Sequence, residues 1–152
     1  MNFRKKSVIF LATGCYVGNI PFAPGLFGTI LGILPCFILS IIDLPAAILF
    51  TVLFLFIAVW SADEAEKIMN KKDPGCIVID EIAGIMVALF NLPFNIIYIV
   101  AGFVIFRILD VFKPFPIGFL EKKISGGPGI VIDDVAAGII TNIILQLVFL
   151  IK

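Results

Sequence analysis

The sequence predicts an all-α, polytopic membrane protein, built as a helical bundle with re-entrant or half-spanning helices and an internal pseudo-repeat. Of its 152 residues, 61% are hydrophobic, whereas soluble domains usually contain about 45–50% apolar residues. The mean hydropathy is +1.19. The apolar residues fall into separate stretches, and lipid-embedded backbone must form its hydrogen bonds within its own segment, so we expect helices. We predict one membrane-embedded domain over residues 1–152, with no separate soluble enzyme.

The first segment carries basic residues from Arg4 to Lys6, followed by a short apolar run that ends at Cys15. A secretory or lipoprotein signal has similar features. The run is short, however, and another apolar segment follows, which favours a membrane element. Gly and Pro then punctuate the segment from Gly18 to Thr29, which predicts a re-entrant or interfacial loop before the first long helix.

Five apolar stretches follow the pattern of short membrane helices, since a full crossing needs roughly 20 residues. The third stretch is short for a full crossing. Breaks separate the stretches at residues 43–45, 61–75, 91–95 and 110–129. The five stretches are Leu26–Ile42, Pro45–Trp60, Ile77–Phe90, Phe94–Leu109 and Ile130–Ile151.

The charged residues predict an orientation. If the chain starts in the cytoplasm and changes side at each break, every Lys and Arg except Lys152 lies on the cytoplasmic side. The positive-inside rule describes this distribution. Every acidic residue except Asp43 lies on the same side, so we expect the chemistry at the cytoplasmic face.

Composition excludes several kinds of site. Eleven basic residues balance eleven acidic ones, so no basic excess favours nucleic acid as a partner. The chain has no His, which excludes His-based catalysis and His-ligated metals. Its three cysteines form no CxxC pair and are interpreted as small core residues. Carboxylates remain as the groups able to carry chemistry.

An internal repeat contains two pairs of those carboxylates. The stretch from Pro74 to Ile85 aligns with the stretch from Pro128 to Ile139 after one-residue gaps. Each copy has a glycine turn, β-branched residues, an acidic pair and then a helix with Ala and Gly, which lets helices approach closely. Two such helices could pack as a pseudo-symmetric pair. That packing would bring together Asp80, Glu81, Asp133 and Asp134.

Adjacent carboxylates near a membrane boundary repel each other and are costly to ionise. A hard divalent cation offsets that cost, and Mg²⁺ is the usual choice where phosphate is also bound. The sequence therefore predicts a Mg²⁺ site on these residues. The alternative is that the acids only stabilise helix N-termini through the macrodipole.

A second group combines both signs of charge. Arg107, Asp110 and Lys113 are spaced at i, i+3 and i+6, so the first two share a helix face and the third lies roughly below them. Arg and Lys can bind phosphate while Asp joins the metal. The alternative is an Arg–Asp salt bridge with a snorkelling Lys.

The loop before Thr29 could present backbone N–H groups and a hydroxyl to an anion at a helix start. Glycine loops in membrane proteins also serve only for close packing. Glu121 could complete the cytoplasmic rim as a further ligand, or could pair with Lys122 or Lys123.

Four motifs together resemble the phosphatidylglycerophosphatase A family in order and spacing along nearly the whole chain. One departure is Leu26, where the family often carries Thr, so phosphate contact in that loop would depend on Thr29 and the backbone. The motifs are Pro24-Gly-Leu-Phe-Gly-Thr29, Asp73-Pro-Gly-Cys-Ile-Val-Ile-Asp-Glu-Ile-Ala-Gly84, Phe106-Arg-Ile-Leu-Asp-Val-Phe-Lys-Pro-Phe-Pro116 and Gly126-Gly-Pro-Gly-Ile-Val-Ile-Asp-Asp-Val-Ala-Ala-Gly138.

The resemblance implies a Mg²⁺-dependent phosphatase of the bacterial inner membrane that converts phosphatidylglycerol phosphate to phosphatidylglycerol. Catalytic roles would fall to Asp80, Glu81, Asp110, Asp133 and Asp134. Thr29, Arg107 and Lys113 would bind the substrate phosphate. The sequence leaves open whether water attacks directly or an aspartyl-phosphate forms first, and whether Gly/Ala helix faces support a homo-oligomer.

Two other functions compete with this one. A CDP-alcohol phosphotransferase also uses membrane-embedded aspartates and a divalent metal, but it usually needs a D-x₂-D-G-x₂-A-R pattern, and no such run exists in the sequence. An ion or proton carrier could place intramembrane carboxylates on inverted repeats. The predicted position of the carboxylates near one side of the membrane argues against a carrier.

Overall fold

The computed structural model describes residues 2–150 of the chain, with side chains to residue 148. All regular secondary structure in this part of the chain is helical. This confirms the all-α prediction. Ile151 and Lys152, which the sequence placed at and beyond the last helix, lie outside the described residues. A 3₁₀ turn at Val17–Asn19 follows the first helix. The α-helices are α1 (Phe3–Ala12), α2 (Pro24–Leu31), α3 (Ile33–Ile41), α4 (Leu44–Met69), α5 (Ile79–Ala88), α6 (Ile96–Phe112), α7 (Ile117–Lys123) and α8 (Gly126–Leu150).

Three segments are long and apolar enough to cross a membrane: Pro24–Ile41, Leu44–Met69 and Gly126–Val148. The protein is therefore a polytopic membrane bundle, as predicted. α5 has only 10 residues, which at ~1.5 Å per residue span about half of the ~30 Å hydrocarbon core. The predicted half-spanning helix is α5.

Several predicted breaks are helical in the structure. α4 continues through the charged residues after Ser61 and ends at Met69, because its polar end can leave the membrane without ending the helix. The turn predicted up to Thr29 already becomes helix at Pro24, where proline suits a first helical position. The glycine run at residues 126–129 is the first turn of α8 rather than a loop.

The short helix α5 lies at the centre of the bundle and packs most extensively against α8. Gly84 and Gly138 meet at this crossing, and a Cβ on Gly138 would overlap the carbonyl oxygen of Gly84. On its other side, Gly84 faces Phe106, whose fully buried ring would lie 2.5 Å from a Cβ at position 84. The two glycines therefore allow the backbones of α5 and α8 to touch.

A polar side chain of α8 satisfies the C-terminal end of α5. Asn142 Nδ2 donates hydrogen bonds to the carbonyl oxygens of Ala88 (3.0 Å) and Phe90 (2.9 Å). A helix that ends inside the bundle leaves carbonyl groups without hydrogen-bond partners, and each unpaired carbonyl costs several kcal/mol in lipid. Asn142 removes that cost for two of them.

The helix α1 is a packed part of the bundle. Val8 and Ala12 are fully buried and belong to a cluster with small residues of α4. The backbone N–H of Val78, just before α5, donates to the carbonyl oxygen of Ala12 at 2.9 Å. The first segment thus holds the start of α5 in place.

The two copies of the internal repeat differ in structure, and the pseudo-symmetric arrangement is not confirmed. In the first copy, Pro74–Val78 is not helical and the acidic pair lies in the first turn of α5. In the second copy, the whole stretch from Pro128 is helical. Asp133 and Asp134 therefore lie about two turns inside α8. The contacts of the two copies differ as well, since Val78 bonds to the backbone of Ala12, whereas Gly127 is held by a side chain of α4.

Candidate active site

Asp80 and Glu81 begin the site, in the first turn of α5. The positive end of the helix dipole favours carboxylates there. Glu81 reaches towards α2, where Gly25 leaves room for it, since a Cβ on Gly25 would overlap Glu81 Oε1. The helix start thus directs one acid towards α2 while the other stays beside it.

Asp134 joins this pair from α8 and is 3% exposed. One carboxylate oxygen from each of Asp80, Glu81 and Asp134 lies within 4.8 Å of the others. Because Asp134 lies well inside α8, the macrodipole does not explain its position. The close contact of Gly84 with Gly138 brings the two helices near enough for these acids to meet.

Asp133 is not one of those three acids, and one of its oxygens is bound to a cation. Its Oδ2 accepts a hydrogen bond of 2.6 Å from Lys113 Nζ, which also donates to Glu121 Oε1 at 2.9 Å. Burial lowers the pKa of Lys113, but the hydrogen bonds to Asp133 and Glu121 outweigh it, so the pKa lies above its usual value. Lys113 is therefore a cation at neutral pH. Glu121 thus pairs with Lys113 rather than with Lys122 or Lys123.

Arg107 and Asp110 share one face of α6, as their spacing predicts. Arg107 Nη1 donates to Asp110 Oδ2 at 2.6 Å and to Thr29 Oγ1 at 3.4 Å. Asp110 is also close enough to interact with Glu81 and Asp134. This salt bridge thus borders the group of three carboxylates.

Thr29 occupies a different place from the one the sequence suggested. It is fully buried and lies in the second turn of α2 rather than at a helix start. Its hydroxyl donates to the carbonyl oxygen of Gly25 at 2.8 Å and accepts the bond from Arg107. Its hydroxyl therefore contacts the guanidinium of Arg107 directly.

The donor set suits a hard divalent cation. Buried oxygens of the two acidic pairs have no hydrogen-bond partner among the described residues, and a bound cation would supply one. All are carboxylate oxygens, which Mg²⁺ prefers. The unpartnered atoms are Asp80 Oδ1, Glu81 Oε2, Asp133 Oδ1 and Asp134 Oδ2.

Comparison with known proteins shows the family of the chain. Residues 10–149 match the sequence profile of phosphatidylglycerophosphatase A. The chain belongs to the phosphatidylglycerophosphatase A family. Members of this family are phosphatases, so the protein is an enzyme of phospholipid metabolism.

Three curated relatives extend over most of the chain. Phosphatidylglycerophosphatase A of Escherichia coli (strain K12) is 37% identical over 139 residues, covering 91% of this chain and 81% of its own length. Phosphatidylglycerophosphatase A of Haemophilus influenzae is 36% identical over 137 residues, covering 89% and 84%. A Bacteroides thetaiotaomicron protein named "Putative phosphatidylinositol-3-phosphatase" is 34% identical over 145 residues, covering 90% of each chain. No solved structure shows a significant match.

Two structurally important polar residues escaped sequence reasoning. Asn142 caps α5, and the sequence feature that could have indicated this role is a polar amide inside an otherwise apolar stretch. Asp63 accepts a hydrogen bond from the start of α8 at 3.0 Å. No local pattern around Asp63 indicates that contact, because the two residues are 64 positions apart.

Proposed function

We propose that this member of the phosphatidylglycerophosphatase A family is a Mg²⁺-dependent lipid phosphatase. It would hydrolyse phosphatidylglycerol phosphate to phosphatidylglycerol and phosphate at the cytoplasmic face of the bacterial inner membrane. The observation that carries the proposal is the group of Asp80, Glu81 and Asp134, whose ligand oxygens lie within 4.8 Å of one another beside the Arg107–Asp110 pair. The name of the E. coli relative supports the choice of substrate.

Asp80, Glu81 and Asp134 would hold the Mg²⁺, and Asp133 would join them through its unpartnered Oδ1. When bound, Mg²⁺ polarises a phosphoryl group and lowers the pKa of a coordinated water. Asp110 lies beside Asp134 and Glu81, so it would join the metal-binding group or accept a proton from the attacking group.

Arg107 would bind the phosphate oxygens of the substrate. Among the described residues, Arg107 donates to Asp110 and Thr29, in both cases from Nη1. A guanidinium has five N–H donors in all. The remaining donors can bind phosphate in a bidentate manner. Thr29 orients the guanidinium from α2.

Lys113 would offset the negative charge that develops on the transferred phosphoryl group. It is held by Asp133 and Glu121 next to the acidic group, so its charge is already in place before substrate binds. Its raised pKa keeps it protonated during the reaction.

The orientation follows from the charges. The sequence pattern puts the site residues on the same side of the membrane as nearly all basic residues, and the positive-inside rule assigns that side to the cytoplasm. A phospholipid would then place its phosphomonoester at the carboxylates and its acyl chains in the adjacent lipid.

The Bacteroides relative suggests a second substrate, a phosphatidylinositol 3-phosphate. Both lipids carry a phosphomonoester on a polyol attached to a diacylglycerol phosphate, so the same carboxylates could serve either. The two substrates must therefore be compared directly.

The test is phosphate release by the purified protein in detergent from each lipid, with Mg²⁺ or with excess EDTA. We expect rapid release from phosphatidylglycerol phosphate, slower release from phosphatidylinositol 3-phosphate, and no release with EDTA. Activity that persists after removal of divalent cations would contradict the metal assignment. A preference for the inositol lipid would replace the proposed substrate.

The same sample can distinguish direct water attack from an aspartyl-phosphate. A single turnover in ¹⁸O-labelled water with enzyme in excess places the label in the released phosphate if water attacks the phosphorus directly. If an aspartyl-phosphate forms and is then cleaved at its acyl carbon, the label goes to the enzyme carboxylate instead. Attack at phosphorus in that second step would be revealed by acid quench, which traps a phosphorylated enzyme.

A further inference from the structure

The start of α8 is attached to α4 by a contact that lies outside the carboxylate group. The backbone N–H of Gly127 donates to Asp63 Oδ1 at 3.0 Å. The other carboxylate oxygen of Asp63 lies 2.6 Å from Lys67 Nζ, one turn further along α4. Asp63 thus contacts two partners, one on its own helix and one on α8.

The fit between the two helices at this point is tight. Gly126 has a φ of +74°, which favours glycine, and a Cβ there would lie 2.9 Å from Asp63 Oδ1. A Cβ on Gly127 would lie 2.5 Å from Asp63 Cβ and would overlap the carbonyl oxygen of Val59. The first turn of α8 therefore fits against α4 in one position along its axis.

The first N–H groups of any helix need acceptors, which usually come from a Ser, Thr, Asp or Asn at its own N-cap. Ser125 holds the N-cap position of α8, but its hydroxyl accepts no hydrogen bond from the described residues, and the glycines that follow it carry no side chain that could. Asp63 supplies an acceptor from another helix, and its negative charge also suits the positive end of the α8 dipole. The contact therefore stabilises the N-terminus of α8 at this site.

The position of that N-terminus bears on the metal-binding group. Asp134 follows Gly127 by about two turns, or roughly 10 Å along one continuous helix. Its oxygen must come within 4.8 Å of the oxygens of Asp80 and Glu81. A shift of α8 along its axis would move Asp134 by the same amount, since a helix is stiff over two turns.

We propose that Asp63 is a positioning residue, which sets the axial position of α8 through Gly127 and so places Asp134 in the Mg²⁺-binding group. The inference rests on the proposed function, because it assumes that this group binds Mg²⁺. Asp63 acts on the metal through the backbone of α8 and does not ligate it.

The test compares Asp63→Ala, Asp63→Asn and Glu64→Ala in the full-length protein. Asn keeps the acceptor oxygen, whereas Ala removes it. Glu64 is the matched control because its carboxylate pairs with Lys67 on α4 and Arg4 on α1. The two readouts are the Mg²⁺ concentration that gives half-maximal phosphate release and the rise in melting temperature on adding Mg²⁺.

For Asp63→Ala we expect the half-saturating Mg²⁺ concentration to rise about 10-fold or more, as is usual when a residue supporting a metal ligand is lost. The melting curve should respond to Mg²⁺ only at correspondingly higher concentrations. Asp63→Asn and Glu64→Ala should stay close to wild type in both the half-saturating Mg²⁺ concentration and the Mg²⁺ response of the melting temperature. A role in folding alone would lower the melting temperature without Mg²⁺ but leave the Mg²⁺ dependence unchanged, and that result overturns the proposal.

Gly127→Ala tests the same contact from the other helix and is informative even if Asp63→Ala does not fold. Its Cβ should push α8 from α4, so the same weakening of Mg²⁺ binding is expected. An equal loss in Asp63→Asn and Asp63→Ala would show that charge matters rather than the hydrogen bond, and would also overturn the proposal. If wild type itself shows no Mg²⁺ dependence, the proposed function fails instead.

Discussion

Lys113 Nζ lies 2.6 Å from Asp133 Oδ2, while the next residue, Asp134, lies with Asp80 and Glu81. Successive side chains of a helix diverge by about 100°, so two adjacent aspartates take part in different interactions. Asp133 links the site to a cation, and Asp134 belongs to the group of carboxylates. This division leads to the first two predictions.

Asp80→Asn and Asp134→Asn should each lower kcat by roughly 100-fold or more, because each removes a carboxylate charge from the group that would hold the Mg²⁺, the cation that would stabilise the developing phosphoryl charge. Phosphate release at saturating Mg²⁺ measures the effect. Asp43→Asn is the control, since Asp43 precedes α4 at the opposite end of the bundle and Asn also suits a helix N-cap. Near-wild-type activity in either site variant would remove that residue from the site.

Lys113→Met should lower both activity and stability, because it leaves the Asp133 carboxylate, which is 6% exposed, without its cation. A buried charge left without its partner costs about 3–5 kcal/mol. The double variant Lys113→Met/Asp133→Asn should melt at a higher temperature than Lys113→Met, since no unpaired buried charge is left. Glu121 also loses Lys113, but its side chain is 42% exposed and remains solvated. Thermal melting in detergent compares the two variants, and a double variant less stable than the single one would contradict the pairing.

Gly138→Ala should destabilise the protein by about 1–3 kcal/mol, since its Cβ would overlap the backbone of Gly84 and force α5 and α8 apart. Activity should fall with it, because the same separation moves Asp134 from Asp80 and Glu81. Gly75→Ala is the matched control, as no atom lies within 4 Å of a Cβ at that position. Equal melting temperatures for the two variants would argue against direct helix contact.

Asn142→Leu should cost about 1–3 kcal/mol, because the carbonyl groups of Ala88 and Phe90 lose their donor inside the bundle. Gln146→Leu, one turn further on, removes only a hydrogen bond to Asn142 from an exposed side chain and should cost much less. Melting temperatures measure both. Similar losses for the two would indicate that α5 needs no cap from α8.

Mg²⁺ should raise the melting temperature of the wild-type protein, because a ligand that binds the folded state stabilises it by about 2.7 kcal/mol at 100 times its Kd. Asp80→Asn should reduce this stabilisation, since it removes one ligand charge. Ca²⁺, which prefers larger and more flexible oxygen sites, serves as a comparison ion. An identical rise in wild type and Asp80→Asn would place the cation elsewhere.

Much of the architecture could be predicted from local pattern. Apolar length and composition identified the membrane helices and the short α5, and the i, i+3 spacing of Arg107 and Asp110 predicted their shared face. The predicted positions of the helix ends were less accurate. α4 and α8 continue through polar and glycine residues because neighbouring helices stabilise those ends, which no local pattern records.

The sequence by itself determined the class of protein, the pairs of acids and the basic residues near them, since hydrophobic length and residue chemistry are local properties. Only the tertiary structure decided which member of each pair points where. The rotation and axial position of α8 place Asp134 beside Asp80 and Glu81 and leave Asp133 to Lys113. Contacts between distant residues, Gly84 with Gly138 and Asp63 with Gly127, set that position, because helix packing depends on surfaces that meet only after the chain has folded.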